Sequence, residues 1–152
     1  MKEPAIRPMY CEDITEVLAI QRHVQGPAWT PDHFVNELRN GFCHAFVAHL
    51  GRQILGYVIF WIILDEAHLL NLAIHPSFRR SGVGRRLMAF LIHFSRRRGA
   101  TWIALEVRKT NTPALALYSE FGFQQTRVRK SYYQDNHEDG IVMELELKRE
   151  PT

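Results

Sequence analysis

The apolar positions change period along the chain, and the changes mark its elements. Ile14, Val17, Leu18 and Val24 share one helical face behind Asp13, which predicts a first helix capped by Asp13. Thr30-Pro31 supplies a capping residue and a proline at the first helical position. The second helix so begun carries Phe34 and Leu38 and is expected to stop at Asn40-Gly41. His44–His49 and Ile54–Leu64 flank Leu50-Gly51-Arg52-Gln53, a hairpin pattern. From Gly56 to Leu64 almost no polar residue alternates, which predicts a central strand covered on both faces. Ala67–Ile74 reads as a strand, Val83–Arg98 as a helix with Val83, Leu87, Phe90, Leu91 and Phe94 in one stripe, and Thr101–Val107 as a strand. A helix from Asn111 to Glu120 follows, then a strand pair, Phe123–Lys130 and Ile141–Leu147. Ala5-Ile6-Arg7-Pro8, between prolines, suits an edge strand. The order β-α-α-β-β-β-α-β-α-β-β implies an α/β chain with a central mixed sheet flanked by helices. No repeat, low-complexity tract or linker interrupts it, so residues 1–152 are expected to form a single domain.

Composition narrows the classes. A chain of 152 residues, 46% of them hydrophobic, is long enough for a real core. The longest apolar run, Tyr57–Leu64, falls well short of the roughly 18 residues of a membrane span. Met1-Lys2-Glu3-Pro4 lacks the apolar region of a signal peptide. Cys11 and Cys43 stand far apart, and neither a disulfide framework nor a metal site is expected. A cytoplasmic protein without membrane contact is the expectation. The net charge is only +3, but arginines cluster at Arg79–Arg86 and at Arg96-Arg97-Arg98. The second cluster ends a helix, where cations complement the dipole, so direct nucleic-acid contact is not expected.

The candidate chemistry begins at Asn71–Leu87. Pro76 should stop the strand, and Gly82 and Gly84 lie where the next helix starts. The first N–H groups of a helix lack intrahelical partners, and glycines there let an anion approach them closely. Arg79, Arg80, Arg85 and Arg86 surround the same point, which indicates a phosphorylated ligand. No Gly-Lys-Ser/Thr end is present, and Leu87 stands where a dinucleotide fingerprint needs its third glycine. A solvated basic turn is the alternative. Glu106 points away from the face of Ile103, Leu105 and Val107, and Tyr118 rides on a short helix behind Asn111. Each has an ordinary alternative: a polar residue facing out of a sheet, a half-buried core tyrosine and a helix cap.

Arg79-x-x-Gly82-x-Gly84 resembles the acetyl-CoA pyrophosphate loop of the GNAT superfamily of N-acetyltransferases. With Leu105–Arg108, Asn111–Phe123, Asp65-Glu66-Ala67 and Lys130-Ser131-Tyr132-Tyr133, the chain resembles the RimI-type ribosomal-protein alanine N-acetyltransferases of that superfamily. The resemblance implies a GNAT fold that takes acetyl-CoA as donor and needs no metal. It implies that the backbone of Leu72, Ala73 and Ile74 holds the pantetheine arm. Arg79, Arg80, Ser81, Gly82, Val83, Gly84 and Arg85 would wrap the pyrophosphate, and Asn111 would touch coenzyme A. Glu106 is implied as general base, directly or through water, and Tyr118 as acid toward the leaving thiolate in a direct transfer.

The implied acceptor is a protein N-terminal α-amine, with the alanine of a ribosomal protein as the best substrate. A lysine or small-molecule amine is the first alternative, and a non-catalytic acyl-CoA-binding module the second. An α-amine with pKa about 7.7–8.0 costs under about 1 kcal/mol to deprotonate near neutrality, against roughly 4–5 kcal/mol for a lysine at about 10.4. One carboxylate base therefore favours α-amines. The resemblance implies that the loops Gly26–Thr30 and Tyr132–Gly140 flank the peptide, through Trp29, Tyr132 and Tyr133, while Asp135, Glu138 and Asp139 either attract a basic second residue or form an ordinary solvated loop. Gly26-Pro27-Ala28 departs from the family, which carries a bulky apolar residue before this proline. That departure puts strict alanine specificity in question.

Overall fold

The computed structural model describes residues 3–24 and 28–148. The elements run β1 (Ala5–Pro8), α1 (Ile14–Gln21), α2 (Pro31–Arg39), β2 (Cys43–Leu50), β3 (Gln53–Ile63), β4 (Glu66–Ile74), α3 (Val83–Arg97), β5 (Trp102–Arg108), α4 (Thr112–Glu120), β6 (Gln124–Arg129) and β7 (Gly140–Glu146). The strands form one sheet in the order β1-β2-β3-β4-β5-β7-β6, antiparallel except for β4 and β5, which run parallel. β1 is an edge strand, as its prolines require.

β3 divides its side chains between two cores. Leu55, Val58 and Phe60 face the cluster that α3 and α4 cover, with Leu87, Met88, Leu91, Leu105 and Tyr118. Ile54, Tyr57 and Ile59 face the other, with Val17, Ile20 and Phe34 of α1 and α2. Burial on both faces explains the unbroken apolar run, although only as far as Phe60. Beyond it Trp61 and Ile62 are half-buried, Ile63 is exposed, and Leu64 turns the chain at φ 55° while 90% exposed.

Thr30 caps α2 by accepting from His33 N–H at 3.1 Å, with Pro31 in the first turn. Asp13 precedes α1 without capping it by its side chain. Its carboxylate accepts from the Arg7 guanidinium (2.8 and 2.9 Å) and the Tyr10 N–H (2.8 Å), tying β1 to the start of α1. α1 ends at Gln21, so Val24 lies past its end. The α3 stripe is deeper than expected: Val83, Leu87, Met88, Leu91 and Ser95 are buried, while Phe90 and Phe94 are half-buried against Phe46.

Candidate active site

A cleft of about 880 Å³ opens where β4 and β5 part. Their parallel ladder joins Glu66–Leu69 to Trp102–Leu105 and ends there. β4 continues to Ile74 paired only with β3, so its other backbone edge faces the cleft along Leu70–Ile74. A β-bulge at Leu70, between the Ile59–Asn71 and Phe60–Leu69 pairs, bends β4 at this point. Unpaired strand backbone is a ready hydrogen-bonding edge for an extended ligand. Leu72, Ala73 and Ile74 supply it.

α3 starts at the far end of this edge. Gly82 takes φ 88°, a left-handed value that costs glycine nothing. The first intrahelical bond runs from Arg86 N–H to the Gly82 carbonyl at 3.0 Å, leaving the N–H groups of Val83, Gly84 and Arg85 ahead of it. A Cβ on Gly84 would meet Leu117 and Ile74 at 3.5–3.8 Å, on the cleft wall. The bare turn and positive helix end suit a pyrophosphate. Arg79, Arg80 and Arg85 line the cleft, whereas Arg86 pairs with Glu3 at 3.2 Å and is not among its lining residues. Arg79 also donates to the His23 carbonyl, and Arg85 pairs with Glu120 at 2.9 Å. Ser81 lies in the loop, its hydroxyl donating to the Phe78 carbonyl. Asn111 caps α4, accepting from Ala114 N–H at 3.4 Å, and lines the cleft.

Two ionisable side chains reach the opening from opposite faces. Glu106 follows the last residue of β5 that pairs with β4 and faces away from the Ile103, Leu105 and Val107 core. Its Oε2 lies 2.7 Å from His68 Nε2, and its Oε1 3.6 Å from Arg129 Nη1. The hydrogen bond to His68, together with the charges of Arg129 and Arg127, outweighs burial and holds the carboxyl below the usual carboxylate range. Tyr118 comes from α4 on the α3–α4 side, packed near Phe123. Burial first, and then Tyr133, push its phenol above the ordinary value, so it stays protonated. Both side chains line the same cleft.

The proposed acceptor-side residues behave differently from one another. Tyr133 lines the cleft beneath the Arg108 guanidinium, 4.0 Å from its ring centre, and burial pushes its phenol up to about 12. Tyr132 stands edge-on to Tyr133, under Arg129, and does not line the cleft. Trp29 is buried in the α1–α2 core, stacked on His33 at 3.9 Å, its backbone held by the Gln21 side chain. It is absent from the cleft lining. Gly26 and Pro27 lie outside the described residues.

The three loop acids are engaged within the protein. Asp135 binds Arg108 (2.9 and 3.0 Å), Glu138 binds Thr110 and Arg108, and Asp139 accepts from Ser131 N–H and Lys130. They fasten the β6–β7 loop to the end of β5 instead of presenting free negative charge to a peptide. Sequence reasoning also missed Asn71, 2% exposed, whose Oδ1 accepts from the Tyr57 hydroxyl at 3.2 Å. Only an isolated polar residue in an apolar strand hinted at it. Among the described residues, no group of three or more His, Cys, Asp or Glu is arranged to hold a metal ion.

Residues 11–123 match the acetyltransferase (GNAT) family. The chain is 37% identical over 140 residues to a Bacillus subtilis protein provisionally named a [ribosomal protein bS18]-alanine N-acetyltransferase, covering 91% of this chain and 93% of that protein. It is 31% identical over 137 residues to the Escherichia coli [ribosomal protein bS18]-alanine N-acetyltransferase, covering 89% and 92%. The crystal structure of the ribosomal-protein-S18-alanine N-acetyltransferase from Escherichia coli superimposes with a TM-score of 0.88 at 29% identity, covering 98% of this chain and 97% of that one. The chain belongs to the acetyltransferase (GNAT) family, whose enzymes use acetyl-CoA.

Proposed function

We propose that this protein transfers the acetyl group of acetyl-CoA directly to the α-amine of a protein N-terminus, the N-terminal alanine of ribosomal protein bS18 being the acceptor. The observation that carries this is the opening between β4 and β5, which joins the two faces of the sheet with Glu106 on one side and Tyr118 on the other. A thioester laid along Leu72–Ile74 presents its carbonyl carbon at that opening, and an amine enters from the Glu106 face. The names of the relatives at 37% and 31% identity supply the acceptor.

Acetyl-CoA supplies the activated acyl group. Glu106, ionised across the working range, takes the proton of the attacking amine, directly or through water. Tyr118, kept protonated by burial, gives a hydrogen bond and then a proton to the departing sulfur. Moving a proton from an α-amine of pKa about 8 to a carboxylate below its ordinary 4.3 is uphill by about 5 kcal/mol, and a lysine would add roughly 3 more. The weak base therefore favours α-amines. Residues 1–152 act in this reading as one catalytic domain in the cytoplasm.

The test is acetyl transfer to a peptide beginning with Ala, beside its N-blocked twin carrying one lysine, with Glu106→Gln and Tyr118→Phe in parallel. Transfer to the free α-amine alone, falling about 10²–10⁴-fold in either variant, is the expected outcome. Acetylation of the lysine twin alone overturns the acceptor class, and parallel double-reciprocal lines overturn direct transfer.

A further inference from the structure

Each turnover converts an ammonium and a thioester into an amide, a thiol and one proton. Nitrogen loses two protons, sulfur receives one, and the other must leave the cleft. If Glu106 collects it, the carboxyl has to be discharged before the next cycle. We propose that His68 is the outlet through which the proton collected by Glu106 reaches solvent. The inference rests on the assignment of Glu106 as base.

The geometry allows few other routes. Glu106 lines the cleft, with its side chain 19% exposed. His68 does not line it, and its side chain is 38% exposed. His68 sits on the closed part of the β4–β5 ladder opposite Ala104, behind the carboxylate as seen from the opening. The 2.7 Å contact thus joins a group inside the cleft to one that meets water. The other partner of the carboxylate, Arg129, has no lone pair to accept a proton. An imidazole takes one nitrogen's proton and releases the other's, which is what a relay requires.

The step balances. The proton on Glu106 passes to His68 Nε2, the carboxylate is restored, and the imidazolium gives its Nδ1 proton to water. The two neutral tautomers exchange through the same solvent contact. The charged neighbours on this face are Glu66 on β4, Glu106 and Arg108 on β5, Arg127 and Arg129 on β6, and Glu144 and Glu146 on β7, opposite Ala104 and Trp102. From β3 the cross-strand neighbour is Trp61, whose indole donates to Glu37 of α2 at 2.7 Å.

The full-length protein is assayed with acetyl-CoA and the Ala-initiated peptide, comparing His68→Ala, which opens a gap, with His68→Gln, which keeps a hydrogen-bond donor but carries no proton. Both should lose at least about tenfold in kcat, a fraction of the 10²–10⁴ that a positioned base itself supplies, with donor affinity unchanged. Added imidazole should restore kcat in His68→Ala alone. Wild-type kcat in both variants overturns the outlet. So does a His68→Ala loss that imidazole does not touch and Gln repairs, because His68 would then only position the carboxylate. Glu106→Gln separates the two readings. If it is fully active, base and outlet both fall. If it is inactive while both His68 variants turn over normally, only the outlet falls.

Discussion

Gly84→Ala should move stability and donor affinity in opposite directions. Gly84 is the second residue of α3, its φ is not left-handed, and a Cβ there would meet Leu117 and Ile74 only at ordinary contact distances. An alanine stabilises a helix by about 0.5–1 kcal/mol over glycine, and the first turn should realise about the lower figure. Without ligand, the variant should therefore melt about 1–2 °C higher. The same methyl stands on the wall of the cleft at the helix end proposed to meet the pyrophosphate. Overpacking a fitted contact costs about 1–3 kcal/mol, and the lower part of that range is a tenfold loss of affinity.

At a donor concentration of about 100 times the wild-type Kd, wild type gains roughly 2.7 kcal/mol and the variant only roughly 1.4. The order of melting temperatures should then invert, with the variant about 0.8 kcal/mol the less stable. Differential scanning calorimetry with and without acetyl-CoA, beside titration calorimetry, reads both quantities. A variant that melts lower without ligand, or that binds acetyl-CoA as well as wild type, would refute the placement of the pyrophosphate at this helix end.

Other outcomes follow from the same contacts. Gly56→Ala puts a methyl 2.8 Å from the Ala73 carbonyl oxygen and 3.2 Å from Leu87, so it should destabilise by about 1–3 kcal/mol in chemical denaturation. Asp13 has its carboxyl lowered, first by Arg7 and also by the Tyr10 N–H, so its contribution exists above the unfolded value and is lost as pH falls through the folded one. Asp13→Asn should therefore cost about 1.5–3 kcal/mol in urea at neutral pH and progressively less below about pH 4. Arg108→Ala releases Asp135 and Glu138 and uncovers Tyr133, and should raise the acceptor KM while acetyl-CoA affinity holds. Because Glu106 titrates below the usual carboxylate range and takes the proton of the bound ammonium itself, kcat/KM for an α-amine peptide should be level from about pH 6 up to the amine pKa near 8. A rise of about tenfold per pH unit across that window would show that the amine is deprotonated before it meets Glu106.

Local chemistry made the elements legible in the sequence. Hydrophobic period, the Thr30-Pro31 start, and Gly99 and Gly122 after their helices, at φ 88° and 95°, act over a few residues and survived folding unchanged. So did the alternation that turned Glu106 away from its strand's apolar face and the glycines that open the start of α3. The chain thereby specified by itself the order of strands and helices along the sequence and a bare, positively polarised helix end at the start of α3.

Other features depended on residues far apart in the chain. The ladder between β4 and β5 ends at Leu69 and Leu105, so the cleft exists because two strands diverge, and no period records divergence. His68 and Glu106, 38 residues apart, became partners only through that parallel register. Arg108 neutralised Asp135 and Glu138 from 27 and 30 positions away, so loop acids that suggested peptide recognition became the loop's own anchor. Trp29 went into the core because α2 offered it His33 and Phe34 to pack on. Local backbone preference is written residue by residue, whereas the charge, basicity and exposure of a side chain depend on neighbours that only the folded sheet brings together.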